Sequence, residues 1–168
     1  MKNRILMMFM LTVALVTLTV GCDKKEENNN NNNQQQVEDK KLICSNSEKE
    51  SKYTEEFKFT YNYKGDTFDK VTIQSTTKYN SGKYDEATYK KYGDECKKAL
   101  EDTKKAGFTC NAQASGASIW VTYQFTMAEL NDTGKKLAKD SGIDEISGKK
   151  LNEAKTIYET AGFTCQEK

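Results

Sequence analysis

The sequence predicts an α+β domain: a mostly antiparallel sheet of five to six strands, two main helices packed on one face, and disulfides stapling the whole. Three observations predict it. Phe57, Phe59, Tyr61 and Tyr63 alternate with polar residues, and so do Val71, Ile73, Ser75, Thr77 and Tyr79 beyond a Lys64-Gly65-Asp66 turn, which is the period of a half-buried hairpin. Apolar residues recur at spacings of three and four from Tyr89 to Ala106 and again from Leu151 to Ala161, the period of amphipathic helices. Four cysteines, at 44, 96, 110 and 165, lie in or beside these segments. Strand pairs separated by helices, without regular βαβ alternation, belong to the α+β class.

The chain opens with Lys2 and Arg4, then an uncharged apolar run from Ile5 to Val20, then Gly21 and Cys22. A basic start, an apolar centre and a small residue before the break make a secretory signal peptide over residues 1–21, and the run is short for a membrane span. Leu18-Thr19-Val20-Gly21-Cys22 resembles the lipobox of bacterial lipoproteins, in which the thiol after the cleaved bond carries a diacylglyceryl group. The resemblance makes Cys22 the lipidated N-terminus and membrane lipid its partner; a plain signal peptide with an accidental cysteine is the alternative. Two acyl chains, at about 0.8 kcal/mol per buried methylene, hold a protein on a bilayer where one chain does not. The expected location is the cell membrane, on its extracytoplasmic face.

Residues 22–40 form the next segment, whose stretch DKKEENNNNNNQQQVEDK has Val37 as its one apolar residue. Such a stretch does not bury enough apolar surface to offset its ordering entropy and reads as a flexible tether. It would span on the order of 25 Å. A single domain follows over residues 41–168.

Leu42-Ile43-Cys44 starts that domain as a short strand, followed by the hairpin. Asp85 is the expected N-cap of the first long helix and Gly107 its expected C-terminal cap, with Gly93 inside it marking a packing contact or an irregularity. A second strand pair runs from Phe108 to Ala114 and from Ile119 to Met127, turning at Ser115-Gly116. There Trp120 falls among Thr122, Gln124 and Thr126 on the face that otherwise reads polar. A short helical piece near residues 135–139 precedes the last helix, which Ser147 is placed to cap, and Phe163–Gln166 closes the chain as a strand.

Ala-Gly-Phe-Thr-Cys occurs twice, at 106–110 and 161–165, each time as a helix-to-strand exit. Four cysteines allow three pairings. Cys96 sits on the inward helix face and a strand returning along that helix brings Cys110 back to it. Cys165 has Leu151 at the equivalent helix position, which leaves it Cys44. The favoured pairs are therefore Cys96–Cys110 and Cys44–Cys165, the second joining first and last strands. Structural disulfides are favoured over a redox pair, since there is no Cys-x-x-Cys, and over zinc, since no close cysteine pair starts a site.

The whole chain has 26 basic and 25 acidic residues and no His or Pro. Residues 22–168 hold 24 Lys, no Arg and 25 acids, a balance that points to no nucleic-acid partner. Without His there is no Ser-His-Asp or Cys-His arrangement, no imidazole ligand and no neutral-pH proton shuttle. Without Arg there is no bidentate clamp for phosphate.

With the lipobox, the strand Phe59-Thr60-Tyr61-Asn62-Tyr63-Lys64-Gly65-Asp66, and the stretch from Met127 to Phe163 ending in an Ala-Gly-Phe exit, the chain resembles the YehR-like family of small bacterial lipoproteins. The resemblance implies a signal-anchored α+β domain of no established activity and supplies no functional residues.

Adjacent acidic pairs such as Glu55-Glu56 diverge on a strand and do not build a two-carboxylate site. The loop Asp140-Ser141-Gly142-Ile143-Asp144-Glu145 lacks the spacing of a calcium loop. No cofactor or metal is expected. Trp120 with Tyr53 and Tyr123 is the candidate binding face, an aromatic platform for a glycan or protein partner. The reading is a membrane-anchored, extracytoplasmic, non-enzymatic module binding an unknown protein or small ligand. An envelope-structural or assembly lipoprotein is the alternative, and a hydrolase or redox enzyme the remote one.

Overall fold

A computed structural model describes residues 39–168; the signal segment, Cys22 and the Asn/Gln tract lie outside the described residues. The elements are β1 (Asp39–Lys49), β2 (Tyr53–Lys64), β3 (Thr67–Tyr79), α1 (Glu86–Asp102), β4 (Phe108–Ser115), β5 (Ser118–Thr126), α2 (Asp132–Asp140), α3 (Leu151–Thr160) and β6 (Thr164–Glu167), with short 3₁₀ turns at Met127–Glu129 and Ile143–Glu145. The strands form one six-stranded sheet in the order β4-β5-β3-β2-β1-β6, antiparallel at every pair. The expected α+β class and sheet are present, with the two expected main helices as α1 and α3 and the short helical piece expected near residues 135–139 as α2.

Alternation makes the central hairpin. Phe57, Phe59, Tyr61 and Tyr63 of β2 and Val71 and Ile73 of β3 are all buried on one face. Gly65, at φ 61°, supplies the left-handed residue that a two-residue hairpin turn needs. The register slips at Asn62/Tyr63, so Phe68 packs edge-on against both Tyr61 and Tyr63, ring centroids 5.0 and 5.7 Å away.

β1 is eleven residues long rather than three. Its pairing with β2 runs unbroken from Asp39↔Lys64 to Lys49↔Thr54. Ser45 to Lys49 carry no apolar alternation, but a long neighbour offers a backbone partner at every position, and that decides the conformation. The domain thus starts at least two residues before position 41, since Asp39 and Lys40 belong to the strand.

The helices cover one face. Asp85 caps α1, its carboxylate accepting from the Thr88 N–H at 2.6 Å. Gly93 lies within unbroken helix, with open space where a Cβ would stand, so it marks neither a close contact nor an irregularity. The far end of α1 corrects the expected cap. The helix stops at Asp102, where Lys104 N–H bonds to Glu101 O and Lys105 N–H to Leu100 O, the double bond of a Schellman motif. Lys104, not glycine, occupies its left-handed position at φ 51°. Gly107 serves another purpose: a Cβ there would meet Thr126 O, Glu129 C and Leu130 N at 2.7–2.8 Å. In the second Ala-Gly-Phe-Thr-Cys copy, Gly162 does hold the Schellman position of α3, with Phe163 N–H on Tyr158 O. The two copies therefore differ in what their glycines do.

Asn131 ties α2 to α1: its Oδ1 accepts from Gly134 N–H at 2.8 Å, and its Nδ2 donates to Thr103 O at 2.7 Å. Lys150, not Ser147, precedes α3. Glu153 accepts from the Lys150 N–H at 3.0 Å, while Ser147 closes the preceding turn on Ile143 O. α3 drives Tyr158 into the sheet, its ring 5.0 Å from Phe59 and 5.2 Å from Phe163. The Tyr158 and Tyr61 hydroxyls meet at 2.5 Å in the buried core.

Candidate functional site

Both expected cysteine pairs are joined on the helix-covered face. Cys44 and Cys165 are directly opposed across β1 and β6, Cα atoms 4.1 Å apart, and Cys96 of α1 bonds Cys110 of β4, Cα atoms 5.2 Å apart. Cys22 lies outside the described residues.

The three aromatic residues expected to form one platform do not. Tyr53 shares strand parity with Phe57 and Phe59, faces the helix side, and packs 6.1 Å from Tyr79. Tyr123 is on that same side, 6.3 Å from Phe108 and directly opposite Cys110, and burial raises its phenol pKa. Nearby Tyr92 of α1 is pushed up to about 12, chiefly by burial and then by Glu55. Trp120, three residues from Tyr123, points the other way; an odd spacing on a strand puts two residues on opposite faces. Trp120 alone remains on the open face.

That face is the candidate site. The side chains through which the helices dock, Cys96 and Tyr158, belong to the other side. The pairing registers align the open positions into cross-strand rows. One row reads Gln166, Ile43, Thr60, Thr72, Gln124, Thr109 from β6 to β4. The next reads Thr164, Ser45, Lys58, Gln74, Thr122, Asn111. A third runs Ser47, Glu56, Thr76, Trp120, Gln113. The protein is 30% charged, yet the first two rows hold one charge, Lys58.

A shallow depression of about 700 Å³ lies across these rows, lined by Ile43, Ser45, Gln74, Thr76 and Gln166, with Glu56, Lys58 and Lys168 as its charged residues. Thr76 on its border is the direct cross-strand neighbour of Trp120. The surface thus offers hydroxyls and side-chain amides, each able to donate and accept, beside one indole. The period-2 runs Thr72-Gln74-Thr76 and Trp120-Thr122-Gln124 were visible in sequence, but the rows required the register. Among the described residues no group of three or more His, Cys, Asp or Glu is arranged to hold a metal. No helix of the described residues is long and apolar enough to cross a membrane.

No known protein-family profile matches the sequence, and no curated protein is significantly similar to it. Solved structures do share the fold. An NMR structure of a protein from Streptococcus pneumoniae TIGR4 matches with a TM-score of 0.55 at 17% identity, covering 92% of this chain and all of that one. The NMR structure of the E. coli YehR protein matches with a TM-score of 0.52 at 18% identity, covering 77% of this chain and 91% of that one. The expected YehR-like likeness is therefore present in the fold.

Proposed function

We propose that this protein is a non-enzymatic binding module, held by lipid at Cys22 on the extracytoplasmic face of a membrane, whose ligand lies across the open sheet face. One observation carries the reading: two central rows of Thr, Gln, Asn and Ser that hold Lys58 as their one charge, beside Trp120 in an otherwise highly charged chain. A neutral, hydroxyl-rich ligand fits that chemistry. Gln74 and Gln124 present amides that pair with vicinal hydroxyls, and Trp120 gives a sugar ring an apolar plane. The two disulfides support residence in an oxidising compartment.

The test is titration with neutral oligosaccharides of the glucose and N-acetylglucosamine series, followed by NMR on the side-chain amides of Gln74 and Gln124. Their resonances should shift, and Trp120→Ala or Gln74→Ala should weaken affinity tenfold or more. Shifts confined to the helix layer, or affinity indifferent to both substitutions, would overturn the reading. The anchor is checked separately by mass spectrometry of the N-terminal peptide from cells, which should start at Cys22 and carry diacylglyceryl mass.

A further inference from the structure

The two edges of the sheet are not alike. β6 is four residues long, ends in Glu167 and is stapled to its neighbour, the short and charged kind of edge that resists pairing with other chains. β4 is eight residues long, Phe-Thr-Cys-Asn-Ala-Gln-Ala-Ser, with no charge and no proline. It is paired only on its β5 side. Gly107 O accepts from Thr126 N–H at 2.7 Å, and Ser115 and Ser118 close the hairpin, so the odd-numbered residues bond to β5. Cys110, Ala112 and Ala114 then direct N–H and C=O away from it.

Alongside this edge runs a groove of about 490 Å³ between α1 and β4, lined by Gly93, Leu100, Cys110 and Ala112, with Lys97 and Lys105 among its charged residues. The missing Cβ of Gly93 keeps one wall open. At the end nearest the start of β4, Lys104 and Lys105 are both exposed and both left-handed, at φ 51° and 59°. Glycine or asparagine would hold those conformations with less strain, so the sequence keeps two ammonium groups there at a cost. Glu101 is the groove's one acidic residue.

The geometry points to the groove between α1 and β4 as a docking site for an extended peptide of a partner protein, added to β4 as a seventh, antiparallel strand, with a carboxylate at the end beside Lys104 and Lys105. An antiparallel strand finishes next to the start of β4, so its C-terminal end meets the lysines. Its backbone bonds to Cys110, Ala112 and Ala114, and the side chains facing α1 must be small to sit against Gly93 and Leu100. Main-chain bonds give such sites affinity and the pockets give selectivity.

The experiment displays random ten-residue peptides in two formats, with free C-termini and as internal segments, and selects on the full chain against its Ala112→Pro variant. The Ala112 N–H faces away from β5, so proline there blocks the edge without removing a ladder bond. Gly93→Leu, which fills the groove from a helix position, is the second blocking variant should the first misfold. Enriched peptides should carry Asp, Glu or the free carboxylate at one end, the two formats telling side-chain from terminal carboxylate. They should bind either blocking variant at least tenfold more weakly, lose about fivefold with Lys104→Gln/Lys105→Gln, and protect the amides of Cys110, Ala112 and Ala114 from hydrogen exchange. No enrichment over both variants would overturn the proposal. So would protection of those amides in the free protein, whether it depends on concentration, marking a second copy, or vanishes in a chain starting at Glu38, marking the protein's own N-terminal segment.

Discussion

Replacing Tyr158 by Phe removes one hydroxyl from a buried pair and leaves the other behind. Tyr61 and Tyr158 are 0% and 1% exposed and their hydroxyls are 2.5 Å apart. Both rings keep their packing against Phe59, Phe68 and Phe163 in the variant, so the change isolates the polar contact. A buried hydroxyl deprived of its partner costs about 1–3 kcal/mol, whereas replacing both partners by apolar groups of the same shape is nearly neutral. The expectation is therefore a loss of about 1–2 kcal/mol for Tyr158→Phe, a similar loss for Tyr61→Phe, and a double variant more stable than either single one. Urea unfolding with both disulfides oxidised measures this, with m unchanged if only stability has moved. Additive losses, or single variants as stable as the parent, would refute the claim that the two hydroxyls satisfy each other.

Gly93→Ala should stabilise by about 1 kcal/mol, since helix propensity improves and the space is open. Gly107→Ala should cost about 3 kcal/mol because backbone stands 2.7–2.8 Å from the new Cβ at a left-handed residue; thermal melts of the two variants should move in opposite directions. Alkaline stability should be level up to pH about 10 and fall above it. Burial raises the phenols of Tyr61 and Tyr158 well above their ordinary range and those of Tyr63 and Tyr92 to about 12. The unfolded chain thus releases protons from pH 10 that the folded chain keeps, and tyrosinate absorbance should rise together with unfolding. Removing Cys44–Cys165, which closes a separation of 121 residues, should cost about 5 kcal/mol, and removing Cys96–Cys110, at a separation of 14, about 3 kcal/mol, by urea unfolding of the paired Ala variants.

Much of the fold was legible because several signals agreed locally. Phe57 to Tyr79 carried both the alternation and the turn glycine, and Cys96 and Cys110 were set by a helix and the strand returning along it. The failures were places where a neighbour decides. Ser45 to Lys49 are strand because β2 continues beside them, and α1 stops at Asp102, short of Gly107, because Lys104 and Lys105 take left-handed backbone and close a Schellman motif on Glu101 O and Leu100 O. The identical Ala-Gly-Phe-Thr-Cys copies hid different tasks, since only the fold shows that Gly107 is pressed between backbones. The platform of Trp120, Tyr53 and Tyr123 was a misreading of parity that the spacing of three between Trp120 and Tyr123 could have corrected. The polar rows of the open face needed the full register of all six strands.

The antiparallel seating of β6 on β1 brings Lys168 opposite Lys41, each accepting the other's N–H at 2.7 and 2.9 Å. Both ends of the domain therefore leave from one pole, shared with the Gly65-Asp66 turn, while the Gly116-Ala117 turn and the start of α1 lie toward the other. A pull on the two ends would open β1 from β6 like a zip. After Leu42↔Glu167 and Ile43↔Gln166 part, the zip meets Cys44–Cys165. Tension then passes through a covalent bond and goes no further into the sheet, so the domain behaves under load as a short inextensible link.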